Sequence, residues 1–254
     1  SGPKVLLIQS NMGFRADSDN TMERRAVRDA FAESVLWGFE VAAEDAGRVL
    51  VDASNFFLSD AHRVVQTLAE YDEGEYALEA SRSAFYLPRT RNFPQNTEVE
   101  VTLTFTSDAP GPLVSSVTPS PETLSVRQHH SLVQLPDAGY RPRHSDPRAG
   151  YYSKSYLNYA AALSEPVETR LIGRHRLQKI NPGAAPSEVV EPIVYYLDSG
   201  TPEPVRSALL DGARWWAEAF EAAGFLNAFE VKLLPVDADP MDVRYNVINW
   251  VHRS

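Results

Sequence analysis

The sequence predicts an α+β fold, with an antiparallel-sheet domain over residues 1–186 and the first strand–helix–strand elements of an α/β subdomain over residues 187–254. Two stretches carry this reading. Between Glu98 and Thr106, Val99, Val101, Leu103 and Phe105 alternate with Glu98, Glu100, Thr102 and Thr104, the period of a strand with one buried and one wet face. Between Glu191 and Phe225, the apolar run Glu191-Pro-Ile-Val-Tyr-Tyr-Leu-Asp198 leads into a helical segment. There Val205, Leu209, Ala213, Trp216 and Phe220 recur at four- and three-residue spacing, a stripe made to lie on a sheet.

Taken in order, residues 4–9 read as a strand, and Asp19-Asn20 precede a charged surface helix from Met22 to Ala32. The runs Ser34–Ala42 and Arg48–Leu58 form a hairpin across Glu44-Asp-Ala-Gly47. Asp60 caps a short helix reaching Ala69, with Val64, Val65 and Leu68 on its apolar side. Tyr76 to Thr106 is β in character, Ser107–Pro112 and Thr118–Pro121 are loops, and Leu124 to Leu135 resumes as strand. Pro136 to Gly150, with three prolines and two glycines, is a long irregular crossing. Tyr151 to Leu163 is aromatic-rich and ambiguous.

Asn181-Pro-Gly-Ala-Ala-Pro186 breaks the chain, placing a domain boundary between Asn181 and Ser187. The helix that follows has Thr201 as its hydroxyl cap, Pro202 where a missing N–H costs nothing, and Gly224 as a left-handed stop with Phe225 folding back on Phe220. Phe229, Val231 and Leu233 alternate with Glu230 and Lys232 as the next strand, giving parallel pairing through a right-handed crossover. Asn246 to His252 reads as a terminal strand, apolar on both faces. The apolar faces of Ile248 and Trp250 therefore call for cover, and the chain reads as a piece of a longer protein.

Composition narrows the chemistry. A net charge of −10 argues against a nucleic-acid surface, and no run is long enough to span a bilayer. Without cysteine there is no disulfide framework and no thiolate metal site. None of the six histidines is followed by Glu, so the His-Glu-x-x-His signature is absent. His129 and His130 are strand neighbours on opposite faces and are poorly placed to share an ion. His175 sits among Arg170, Arg174, Arg176 and Lys179, a basic patch that could bind an anionic ligand but is expected to pair with acidic residues of the other domain. Asp237, Asp239 and Asp242 are spaced like calcium ligands, but Pro240 interrupts the pattern, leaving a solvated loop as the expectation. Trp215 and Trp216 are expected in the core. No Gly-rich phosphate loop and no Gly-x-Ser-x-Gly elbow occurs. The sequence nominates no catalytic, cofactor-binding or metal-ligating residue.

Several stretches carry a resemblance. Glu191–Asp198, Pro202-Glu-Pro-Val-Arg-Ser-Ala-Leu209, Trp215-Trp216 to Ala223-Gly224 and Ala238–Ser254 resemble the start of the catalytic domain in large bacterial zinc-dependent metalloproteases of metzincin type. Ser34-Val-Leu-Trp-Gly-Phe39, Arg82–Thr90, Phe93-Pro-Gln-Asn-Thr-Glu98 and Arg127-Gln-His-His130 resemble the accessory domain of unknown function that precedes it. The resemblance implies an exported protein whose intact form hydrolyses peptide or protein substrates with a zinc-activated water. It places the extended zinc motif downstream, so the ligands lie outside this chain, no zinc is expected here, and the chain by itself is expected to be inactive. The open, truncated sheet also offers a surface for homo-oligomer formation. Two other readings stay open: a binding or scaffolding module without peptidase activity, and an accessory domain that blocks the cleft as an inhibitory propeptide.

Overall fold

The computed structural model describes residues 3–251, and His252 of the expected terminal strand lies outside them. The chain is mixed α+β, its strands in open sheets, with no closed barrel among the described residues. It forms two compact units, each assembled from separate stretches. One holds the described residues through Arg91, Val99–His130 and Pro142–Gly173; the other holds Asn92–Glu98, Ser131–Arg141 and the described residues from Arg174 onward.

The first unit opens with β1 (Lys4–Gln9), β2 (Phe14–Arg15) and α1 (Thr21–Ala30), whose cap is the Asn20 carboxamide accepting from the Met22 N–H at 3.0 Å. β3 (Ser34–Asp45) and β4 (Arg48–Val51) form the expected hairpin, and β1 pairs antiparallel with β3. Its tip, Ala46-Gly47, takes positive φ at both positions, the twist a two-residue hairpin turn needs. The second arm is shorter than expected. It ends at Val51, and the rest of that apolar run becomes α2 (Ser54–Phe57), because the Asp52 carboxylate accepts from the Ser54 N–H and starts a turn.

α3 (Val64–Glu70) is capped by Asp60, whose two carboxylate oxygens accept from the Val64 and Val65 N–H groups at 2.8 and 3.0 Å. Four strands follow, β5 (Ala77–Leu78), β6 (Ala84–Phe85), β7 (Arg91–Asn92) and β8 (Asn96–Thr106), then α4 (Pro112–Val117) and β9 (Thr123–Val133). β8 is the centre of a five-stranded sheet. Val101, Leu103 and Phe105 are fully buried, and Val64, Val65, Leu68, Leu78, Phe85, Leu124 and Val126 pack around them. α4 lies between the two expected loops and takes only Pro112 from the first. Gly111 precedes Pro112 at the first helical position, and the buried Glu73 carboxylate accepts from the Val114 N–H at 2.9 Å.

The opposite face of β8 is not wet. Glu100 and Thr104 are buried because neighbouring segments bring polar partners onto them: Arg89, Arg127 and His129 to Glu100, Ser125 and the Arg82 carbonyl to Thr104. The unit closes with β10 (Arg143–His144), β11 (Ser153–Asn158) and β12 (Glu168–Ile172), antiparallel neighbours in a sheet that β2 joins in parallel through β11. The ambiguous Tyr151–Leu163 run thus contains a strand, with the Tyr156 hydroxyl donating to Asp17.

In the second unit, β13 (Ser187–Glu188) precedes β14 (Ile193–Leu197), α5 (Val205–Ala222), β15 (Phe225–Leu226), β16 (Phe229–Leu233) and β17 (Asn246–Ile248). β16, β14 and β17 form a parallel sheet in that order, so the parallel pairing read from the sequence is present. Three local details differ from expectation. Thr201 is buried and its hydroxyl donates to the Asp198 carbonyl at 2.8 Å instead of capping the helix. Pro202 lies ahead of the helix, which starts at Val205 after Pro204. Gly224 does stop the helix at φ +81°, but Phe220 stacks on Phe229, with centroids 5.6 Å apart, and not on Phe225, which pairs through β15 with β13.

The helix is also rolled relative to the expected stripe. Val205, Arg206, Leu210, Ala213, Ala217 and Phe220 are its half-buried positions, while Leu209, Trp215 and Trp216 are exposed, the tryptophans at 72% and 63%. Small side chains at Ala213 and Ala217 let the backbone approach the sheet, so the bulky indoles, expected in the core, flank it.

Candidate functional site

A cleft of about 340 Å³ opens between α5 and the parallel sheet of the second unit. Ile193 and Tyr195 of β14, Phe229 of β16 and Ile248 of β17 supply one wall. Ala213, Trp216 and Phe220 of α5 supply the other. His175 stands beside the sheet wall, its ring edge-on to Tyr195 at 6.3 Å. The strands place alternate side chains on this face, and the rolled helix leaves Trp216 leaning over it without closing it. An imidazole and a phenol are the titratable groups of the lining, so the cleft suits an apolar side chain and holds no paired nucleophile and base.

The first unit holds a denser charge cluster. The Glu100 side chain keeps 8% of its surface exposed and accepts from Arg127 Nη1 at 3.0 Å, with Arg89 Nε at 2.8 Å and His129 Nδ1 at 3.3 Å from its other oxygen. Arg127 also lies 3.2 Å from the centroid of the Tyr86 ring. Burial opposes ionisation of Glu100, yet hydrogen bonds from Arg127 and His129 and the charges of Arg89 and Arg127 outweigh it and hold the carboxyl below its ordinary value.

His129 and His130 do point to opposite faces. Where His129 meets Glu100, His130 is wedged against Phe56, Phe57 and His62, with ring centroids 5.1 to 5.8 Å away. Gln128, buried between them, accepts from the His62 N–H through its carbonyl and approaches His130 Nε2 with its amide at 2.8 Å. An amide nitrogen only donates, so a hydrogen bond at this contact requires the His130 tautomer that accepts at Nε2. His62 is therefore part of an aromatic–histidine cluster.

The basic patch disperses: its direct ion pairs are with acidic residues of 1–186, and Glu191, from the expected 187–254, acts on Arg176 through its charge alone. Arg170 pairs with Glu168 at 2.9 Å along its own strand, and Arg176 pairs with Asp137 at 2.8 Å. Arg174 and Lys179 donate to backbone carbonyls. Of the three loop aspartates, Asp242 is buried and takes Arg244 in a fork, Nε lying 3.0 Å from both oxygens. Among the described residues no group of three or more His, Asp or Glu side chains could hold a metal ion. The donors present do not fit zinc.

The family described as a domain of unknown function, DUF5117, matches residues 1–180. The chain belongs to this family. The DUF5117 region takes in every element from β1 to β12, with the Glu100 and His130 clusters, whereas α5, β14, β16 and β17 of the apolar cleft lie beyond it. No curated protein and no solved structure matches the chain. Among the described residues no helix is long and apolar enough to cross a membrane.

Proposed function

We propose that this chain is the N-terminal, non-catalytic portion of a zinc-dependent metallopeptidase, in which a DUF5117 accessory domain leads into the first strands of a metzincin-like catalytic domain. The observation that carries the reading is the joining of a DUF5117 region to a parallel β14–α5–β16 unit at the residues that resemble the start of such a catalytic domain. The parallel sheet is small and its helix covers it loosely, as expected of a unit that further chain would complete. In this reading the intact protein is exported, acts on peptide or protein substrates, and binds zinc through ligands downstream of residue 254.

The test is to express the gene product extended beyond Ser254 and to measure bound zinc and chelator-sensitive peptide hydrolysis. Stoichiometric zinc with peptidase activity in the extended protein, and neither in residues 1–254, is the expected result. A downstream sequence without His-Glu-x-x-His, or an extended protein that neither binds zinc nor cleaves peptides, overturns the reading and leaves a binding or scaffolding module.

A further inference from the structure

A second cavity, of about 280 Å³, lies in the first unit and has a different chemistry. Its walls carry Arg15 of β2 and Arg24 and Arg28 of α1, one helical turn apart and so on one helix face. None of the three has a carboxylate within ion-pair distance among the described residues, although other arginines of the chain, Arg127 and Arg176 among them, do. Arg24 spends one nitrogen on the Ser18 carbonyl at 2.7 Å, and Arg15 lies over the Tyr156 ring at 4.4 Å. Glu33 is the acidic residue of the lining, so the cavity holds an excess of positive charge in a chain of net charge −10.

Arg28, in the last turn of α1, also suits the helix dipole, which explains one cation but not the gathering of three. Two like charges a turn apart destabilise a helix slightly, an effect that a bound anion would reverse. The remaining wall is mixed, with Ser10 and Asn11 as polar residues beside an apolar patch. Phe14 and Phe31 stack face to face, with centroids 3.9 Å apart and planes within 4°, beside Val27.

We infer that this cavity binds a carboxylate carried on a small apolar or aromatic body, the chemistry of a peptide's C-terminal residue. The guanidinium groups offer paired N–H donors to the two oxygens, and the Phe14–Phe31 stack takes the apolar part. The volume admits about one residue and no more. This assignment does not depend on the peptidase reading, since every residue it uses lies in the DUF5117 region.

The experiment is titration calorimetry of the 254-residue chain with N-acetylphenylalanine, its C-terminal amide and inorganic phosphate. Saturable binding of the acid, with the amide and phosphate each at least about tenfold weaker, is expected, tenfold being the worth of one good charge-assisted contact. The double variant Arg24→Gln/Arg28→Gln should bind the acid at least about tenfold more weakly. Arg25→Gln, which loses only the exposed pair with Asp29, should bind as the parent does. Because the two cavity arginines are exposed, the double variant should melt no lower than the parent, which separates lost binding from lost fold. No saturable binding, an amide or phosphate that binds as tightly as the acid, or a double variant that binds unchanged would overturn the assignment.

Discussion

Arg127 donates through Nη1 to Glu100 at 3.0 Å while its guanidinium lies over the ring of Tyr86, so one half-exposed cation neutralises a buried carboxylate and covers an aromatic face. Arg89 holds the other oxygen, and both arginines keep about half of their side-chain surface in water. The asymmetry governs a mutation. Glu100→Gln leaves cations that water can still solvate, so the loss should be about 2 kcal/mol, below the 3–5 kcal/mol typical of stranding a fully buried charge. Urea unfolding of parent and variant measures it.

Acid should act through the same carboxylate. Its folded-state value is held down, so its contribution is complete above the ordinary carboxylate range. As pH falls through that range toward the depressed folded value, the unfolded chain takes up the proton first and the contribution is lost. The melting temperature of Glu100→Gln should therefore fall less steeply than the parent's below about pH 5. Parallel acid limbs would contradict this.

His130 gives a second pH limb nearer neutrality. Burial chiefly lowers its value, the charges of His62 and His129 lower it further, and a backbone hydrogen bond with Phe57 works the other way. Folded His130 therefore resists protonation, and stability is lost as pH drops through the ordinary imidazole range toward the lowered value. A proton on Nε2 would also face the Gln128 amide, 2.8 Å away. His130→Gln should flatten the dependence of stability on pH between about 7 and 5 relative to the parent, read by thermal melts across that range.

Gly74 sits at φ +104°, and a Cβ there would stand 2.5 Å from the Ala109 carbonyl oxygen. Both backbone strain and a clash with main chain oppose any side chain. Gly74→Ala should cost more than about 1 kcal/mol and loosen the Glu73–Gly111 junction that starts α4, where the Gly111 N–H donates to the Glu73 carbonyl at 2.8 Å. Amide exchange at Val114 would report the loosening.

Hydrophobic size predicts little without position. Leu103→Ala, in the fully buried row of β8, should cost about 2–5 kcal/mol, whereas Trp215→Ala, on an exposed helix flank, should stay within about 0.5 kcal/mol. Chemical denaturation of the two variants makes the comparison.

The sequence by itself determined the elements whose cause is local. The Val99–Phe105 alternation set the buried face of β8, Asn20 and Asp60 set helix starts, Ala46-Gly47 set a hairpin, and Gly224 ended α5. The order strand, helix, strand over residues 193–233 was enough to expect parallel pairing, because so long a connection crosses over instead of turning back. What stayed hidden depended on residues distant in the chain. Glu100 reads as solvent-facing until Arg127 and His129 arrive from β9, and Arg15 looks unremarkable until α1 sets Arg24 and Arg28 across the same cavity. The roll of α5, which exposes Trp215 and Trp216 and half-buries Ala213 and Ala217, was decided by which helix face met its sheet. Periodicity marks which residues share a face, but only tertiary packing decides what covers that face.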